Sequence, residues 1–117
     1  MYMPQEIEVW YVIPAIRKEL VKAMLSKGIK QKDIAKYLDL TEPAVSQYLK
    51  GKRGKEVFFD NEIISEIEKS AEIIIKRPLE LMNEMQKLIR LSRQKRVICK
   101  MHLNKDKLPE KCSACIW

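Results

Sequence analysis

Glycine and proline are scarce in this chain, with three and five among 117 residues. That scarcity argues against a turn-rich all-β fold and against a disordered chain. No apolar run reaches the ~18 residues that a membrane-spanning helix needs. The longest approach, Val9 to Ile16, is short and contains Pro14. The N-terminus has no basic stretch leading into an apolar core, so no secretion signal is expected and the chain reads as cytoplasmic. Histidine occurs once and cysteine three times, and all four residues lie within the last nineteen positions. An odd, clustered cysteine count is not a secreted disulfide framework and suggests a metal or redox role. No glycine-rich phosphate loop is present. If His102 serves a metal, no histidine remains as a general base or as the partner of a catalytic cysteine, so no enzyme is expected.

What the chain does have is charge and aliphatic residues. Twenty-three Lys and Arg face sixteen Asp and Glu, a formal net charge of +7. An excess of that size favours a polyanionic partner. At 46% hydrophobic the chain holds one modest core, too little for a deep enclosed cleft. The aliphatic side chains are mostly Ile and Leu, which suits an all-α fold. The lead-in from Pro4 to Ile13 is acidic and apolar, and its pattern leaves strand and helical turn equally open. Pro14 suits the first position of a helix, and Gly28 suits its end, which predicts a helix over 14–27. Ile34, Ala35 and Leu38 form the apolar face of a second helix. Thr41 is a good N-cap and Pro43 is tolerated in a first turn, so a third helix runs to about Leu49 and stops at Gly51. Asp60 caps a fourth helix with a stripe of Ile63, Ile64, Ile67, Ala71, Ile74 and Ile75. Pro78 opens a fifth, where Leu81, Met82, Met85, Leu88, Ile89 and Ser92 repeat like a packing seam.

The stretch Gln31 to Lys50 fits a helix-turn-helix. Ala35 supplies the small residue facing the neighbouring helix, and Ile34, Leu38, Leu40, Val45 and Tyr48 supply apolar anchors. The turn needs a residue that tolerates left-handed φ, and Asp39 stands there. If Ala35, Val45 and Tyr48 point inward, then Glu42, Pro43, Ser46, Gln47 and Lys50 point outward. Gln47 can bond an adenine edge bidentately, Lys50 can reach guanine or phosphate, Ser46 a phosphate or base edge, and Glu42 can accept from cytosine. Gln31 and Thr41 sit near helix N-termini, where phosphates are clamped. Lys52, Arg53 and Lys55 follow in a basic loop and add a salt-dependent contribution.

These residues carry a resemblance. Gln31-Lys-Asp-Ile-Ala-Lys-Tyr-Leu38 and Leu40-Thr-Glu-Pro-Ala-Val-Ser-Gln-Tyr-Leu-Lys-Gly-Lys-Arg-Gly54 resemble the Cro/cI-type (XRE-like) helix-turn-helix family. With Ile13-Pro-Ala-Ile-Arg17 before them, they look closest to predicted archaeal transcriptional regulators with a Cys-containing C-terminal tail. The resemblance covers Glu6 to Gly54 and implies a DNA-binding transcription factor that docks on double-stranded DNA as a two-fold dimer. Asp39 departs from the family's usual turn glycine.

Cys99-Lys-Met-His102 and Cys112-Ser-Ala-Cys115 pair a C-x2-H with a C-x2-C across nine residues. Each short spacing lets two side chains converge on one ion. Three thiolates and an imidazole suit structural zinc. The same thiolates suit an iron–sulfur cluster with His102 or an external ligand in the fourth position, which would make a redox sensor. A tail of ordinary reduced cysteines with no metal is the remaining alternative.

The expected organisation is a helix-turn-helix domain over 1–56, a helical dimerisation region over 57–96 and a Cys/His metal-binding tail over 97–117. The expected function is a homodimeric, sequence-specific transcriptional regulator on a palindromic operator. Two other classes compete with it. One is a structural nucleic-acid binder that uses charge without base readout. The other is a protein–protein adaptor with a vestigial helix-turn-helix.

Overall fold

The computed structural model describes residues 3–51, 57 and 59–95. Among the described residues every regular element is helical. α1 (Pro4–Ile7) leads through a π-helical turn (Glu8–Val12) into α2 (Ile13–Ser26). Ile7, Val12 and Ile13 keep right-handed helical angles at both junctions, so one helix runs from Pro4 to Ser26. The open lead-in is therefore helical, and Pro14 stands inside the long helix rather than opening it. The wide turn explains how. A proline ring in a helix collides with the carbonyl four residues back and leaves that carbonyl without its N–H. A π turn immediately before Pro14 re-routes the bonding, with the Ile13 N–H donating to the Glu8 carbonyl five residues back.

Gly28 ends α2 with φ at 85°. Past it, the Ile29 N–H donates to the Met24 carbonyl at 3.2 Å, the six-to-one bond of a Schellman stop. α3 (Gln31–Tyr37) stops in the same way. Asp39 takes φ 53°, and the Leu40 N–H donates to the Ala35 carbonyl at 2.8 Å. α4 (Glu42–Leu49) starts at the Thr41 cap, whose Oγ1 accepts the Ala44 N–H at 3.2 Å. Asp60 caps α5 (Asn61–Lys76), its Oδ1 accepting the Ile63 N–H at 2.9 Å. Arg77 leaves the helical region because Pro78 follows it. A 3₁₀ turn (Pro78–Glu80) then starts α6 (Leu81–Gln94).

One apolar cluster holds these elements. It joins Ile7, Val12, Ile16, Leu20 and Met24 of the long helix with Ile34 of α3 and Val45 and Tyr48 of α4. Phe59, then Ile63, Ile67, Ala71 and Ile74 of α5, and Leu88 and Ile89 of α6 complete it. Residues before and after position 57 thus share a single core, and the apolar stripe of α5 is buried within the chain itself. The α6 seam is also turned inward, except for Met82, which is 67% exposed. Ser92 is buried and donates its hydroxyl to the Ile89 carbonyl at 2.6 Å.

Polar bonds tie α6 to its neighbours. The Ser70 hydroxyl of α5 donates to the buried Glu84 carboxylate at 2.8 Å, and Lys87 lies 2.8 Å from the same carboxylate. Arg93 forks onto Glu8, with Nε at 2.6 Å and a terminal nitrogen at 2.9 Å. Lys95 meets Asp60 and Glu62 at the start of α5, and the Glu62 bond raises the pKa of its ammonium. At the other end, Lys27 bonds Glu72 at 2.8 Å. No helix among the described residues is long and apolar enough to cross a membrane.

Candidate nucleic-acid interface

α4 divides cleanly into two faces. Ala44, Val45 and Tyr48 are buried against α2 and α3, the last two almost completely. Pro43, Ser46, Gln47 and Lys50 stand at offsets of three, four and seven residues, which places them in one row on the opposite side. Pro43 and Lys50 are exposed, and Ser46 and Gln47 are half-buried. Glu42 and Thr41 are exposed at the start of the same helix, and Gln31 is exposed as the first residue of α3. The described candidates therefore lie at the starts of α3 and α4 and along one face of α4. Lys52, Arg53 and Lys55 lie outside the described residues, as do Cys99, His102, Cys112 and Cys115.

The turn between α3 and α4 fixes how these groups meet. Ala35, 4% exposed, gives its carbonyl to Leu40 and allows the close approach of the two helices. Thr41 has a second task beyond any ligand contact. Its oxygen already accepts the Ala44 N–H, which leaves the hydroxyl proton free to donate. The described charges on and around the two helices nearly balance: Lys30, Lys32, Lys36 and Lys50 stand against Asp33, Asp39 and Glu42. Ion pairs among the described residues lie on the long first helix, α5 and α6 instead.

Two features of this frame carried no readable signal. The Glu8–Arg93 fork joins residues 85 positions apart, a pairing that no local spacing encodes. The Ser70–Glu84 bond joins two polar residues that helical period puts on the apolar faces of α5 and α6, three or four residues from Ile67, Ile74, Leu81 and Leu88, and the period does not show that they pair. Among the described residues no three His, Cys, Asp or Glu side chains group as metal ligands. The chain matches no family model, no curated protein and no solved structure, so the functional reading stands on its residues and their arrangement.

Proposed function

We propose that this chain is a sequence-specific DNA-binding transcriptional regulator of the Cro/cI helix-turn-helix type, acting as a homodimer on a palindromic operator. The observation that carries the reading is the two-faced α4. Its inward row is committed to the core, and its outward row presents Ser46, Gln47 and Lys50 together. In this reading α4 enters the major groove, with Gln47 on an adenine edge and Lys50 on guanine or phosphate. Gln31 and Thr41 hold phosphates beside it, and Lys52, Arg53 and Lys55 follow the backbone. Two copies would reach successive grooves about 34 Å apart.

Base readout and binding by charge alone differ in how they withstand competitor DNA. Gel-shift competition tests this directly. A selected operator should hold the protein against a large excess of random duplex, whereas a binder using charge alone is stripped from it. Gln47→Ala should then weaken operator binding by about 1–3 kcal/mol and relax preference at one base pair. Unchanged operator affinity in Gln47→Ala and Lys50→Ala would sink the reading and favour an adaptor role.

The donor set of the tail, three soft thiolates and one imidazole, fits tetrahedral zinc and also an iron–sulfur cluster. Cys99, His102, Cys112 and Cys115 would be the residues that hold it. Zinc would staple the C-terminus, and a cluster would add one-electron redox chemistry. The neighbouring Arg96, Lys100, Lys105, Lys107 and Lys111 would offset the charge of the thiolates.

A further inference from the structure

A cleft of about 610 Å³ opens between the C-terminal half of α2 and the last turn of α4. Small-molecule sites occupy roughly 300–1,000 Å³. α2 lines the cleft with Lys18, Lys22, Leu25 and Ser26, and α4 lines it with Tyr48 and Leu49. Lys18, Lys22 and Leu25 follow at spacings of four and three residues, so one helix row supplies both ammonium groups and an apolar wall. Leu25 is 41% exposed, and Leu49 on the other helix is half-buried. Lys18 is half-buried and has no ion pair among the described residues, and Lys22 reaches only Glu19, at 3.8 Å. The Ser26 hydroxyl already donates to the Ala23 carbonyl at 2.7 Å.

No carboxylate lines this cleft. Three smaller clefts differ in that respect. Glu62 and Glu66 line one of about 270 Å³, Glu19 and Glu68 one of about 290 Å³, and Glu80 and Glu84 one of about 440 Å³. Their cations have counter-charges within the same walls, whereas Lys18 and Lys22 face a cleft that offers none.

We propose that the α2–α4 cleft binds a small amphipathic carboxylate, with the carboxyl group on Lys18 and Lys22 and a hydrocarbon body over Leu25 and Leu49. The two ammonium groups fix the sign of the ligand's charge. The two leucines exclude a bare ion as the best ligand, because a bare ion leaves their apolar surface in water. A neutral hydrocarbon fails for the opposite reason, since it would take water from two cations and return no charge to them. A ligand carrying both groups meets both demands. Ser46, Gln47 and Lys50 do not line the cleft, and the proposal does not depend on the DNA-binding reading.

Titration of the full chain with sodium octanoate tests it, with no DNA present and with octanol and inorganic phosphate as the comparison probes. Leucine methyl NMR reads the site directly. Octanoate should shift the Leu25 and Leu49 methyl signals along a saturable curve, one molecule per chain, and octanol and phosphate should each bind at least about fivefold more weakly. The paired substitution Lys18→Gln and Lys22→Gln should weaken octanoate by about three- to tenfold and leave octanol unchanged. Unchanged methyl signals from the buried core establish that this variant is folded. Octanoate shifts that never saturate, or that miss Leu25 and Leu49, overturn the proposal. So does octanoate affinity that the paired substitution does not move. Phosphate binding as tightly as octanoate overturns it as well and leaves a site for bare anions.

Discussion

Breaking the Glu8–Arg93 fork from its two ends should have unequal consequences. The Glu8 side chain is 6% exposed and the Arg93 side chain 22%. Arg93→Met strands a carboxylate that has almost no path to water, the situation in which losing one partner of a buried pair costs about 3–5 kcal/mol. Glu8→Met removes the carboxylate but leaves a guanidinium with partial access to solvent, so its loss is nearer the ~1.5–3 kcal/mol of a charged hydrogen bond. Replacing both with Met removes both desolvated charges and fills the space with apolar atoms, which is often close to neutral. The order of stability is then wild type near the double variant, Glu8→Met below them and Arg93→Met lowest. Urea unfolding followed by circular dichroism at one protein concentration reads this order. With a slope of about 1.5 kcal/mol per molar, the Arg93→Met midpoint should fall by roughly 2–3 M. A Glu8→Met variant as unstable as Arg93→Met, or a double variant no better than the worse single, would refute the reasoning.

Four further outcomes follow from the geometry. Asp39→Gly should stabilise the chain by about 0.5–1 kcal/mol and raise the melting temperature by several degrees, because φ at this position is 53°; calorimetry checks it. Thr41→Ala should cost about 1 kcal/mol through loss of the α4 cap, and Asp60→Ala should cost more because Asp60 also meets Lys95, both read by thermal unfolding. The bond from Lys27 holds the Glu72 carboxyl below the usual carboxylate range. The stability it lends is therefore present above the ordinary carboxylate value and is lost as pH falls through the lowered one. An NMR titration of Glu72 should return to the ordinary range in Lys27→Met, and a titration that does not move would contradict the assignment. Protein purified without oxygen should carry one metal centre per chain: a brown sample absorbing near ~400 nm identifies an iron–sulfur cluster, and a colourless one with zinc identifies a structural site.

Local signals in the sequence carried far. Gly28, Thr41, Asp60 and Pro78 marked helix ends because capping and proline chemistry act within a few residues. Asp39 was readable as the left-handed turn residue because its neighbours left no glycine to do that work. The split of α4 into inward Val45 and Tyr48 and outward Ser46, Gln47 and Lys50 followed from helical period alone. What periodicity does not encode is the identity of the surface that receives a stripe. The repeats on α5 and α6 look the same whether they meet a second copy or, as Ile63, Ile67, Ala71, Ile74 and Leu88 do, the chain's own core. The path through Pro14 was hidden for a related reason. Proline reads as a boundary, and only the wider hydrogen-bond ring that precedes it allows the helix to continue.

That wide turn also makes segment length a property that Pro14 enforces. A π turn takes up one residue more than an α turn, so the faces on either side of it stay in helical phase. Deleting a single residue from Glu8–Val12 would leave those faces nearly in phase but restore the ordinary ring ahead of Pro14, where the proline ring meets the carbonyl four residues back. The helix would then have to kink or break at that point, at a cost of about 3 kcal/mol or more. The extra residue is thus what lets one straight run carry Glu8 to Arg93 at one end and Ile16 and Leu20 into the core at the other.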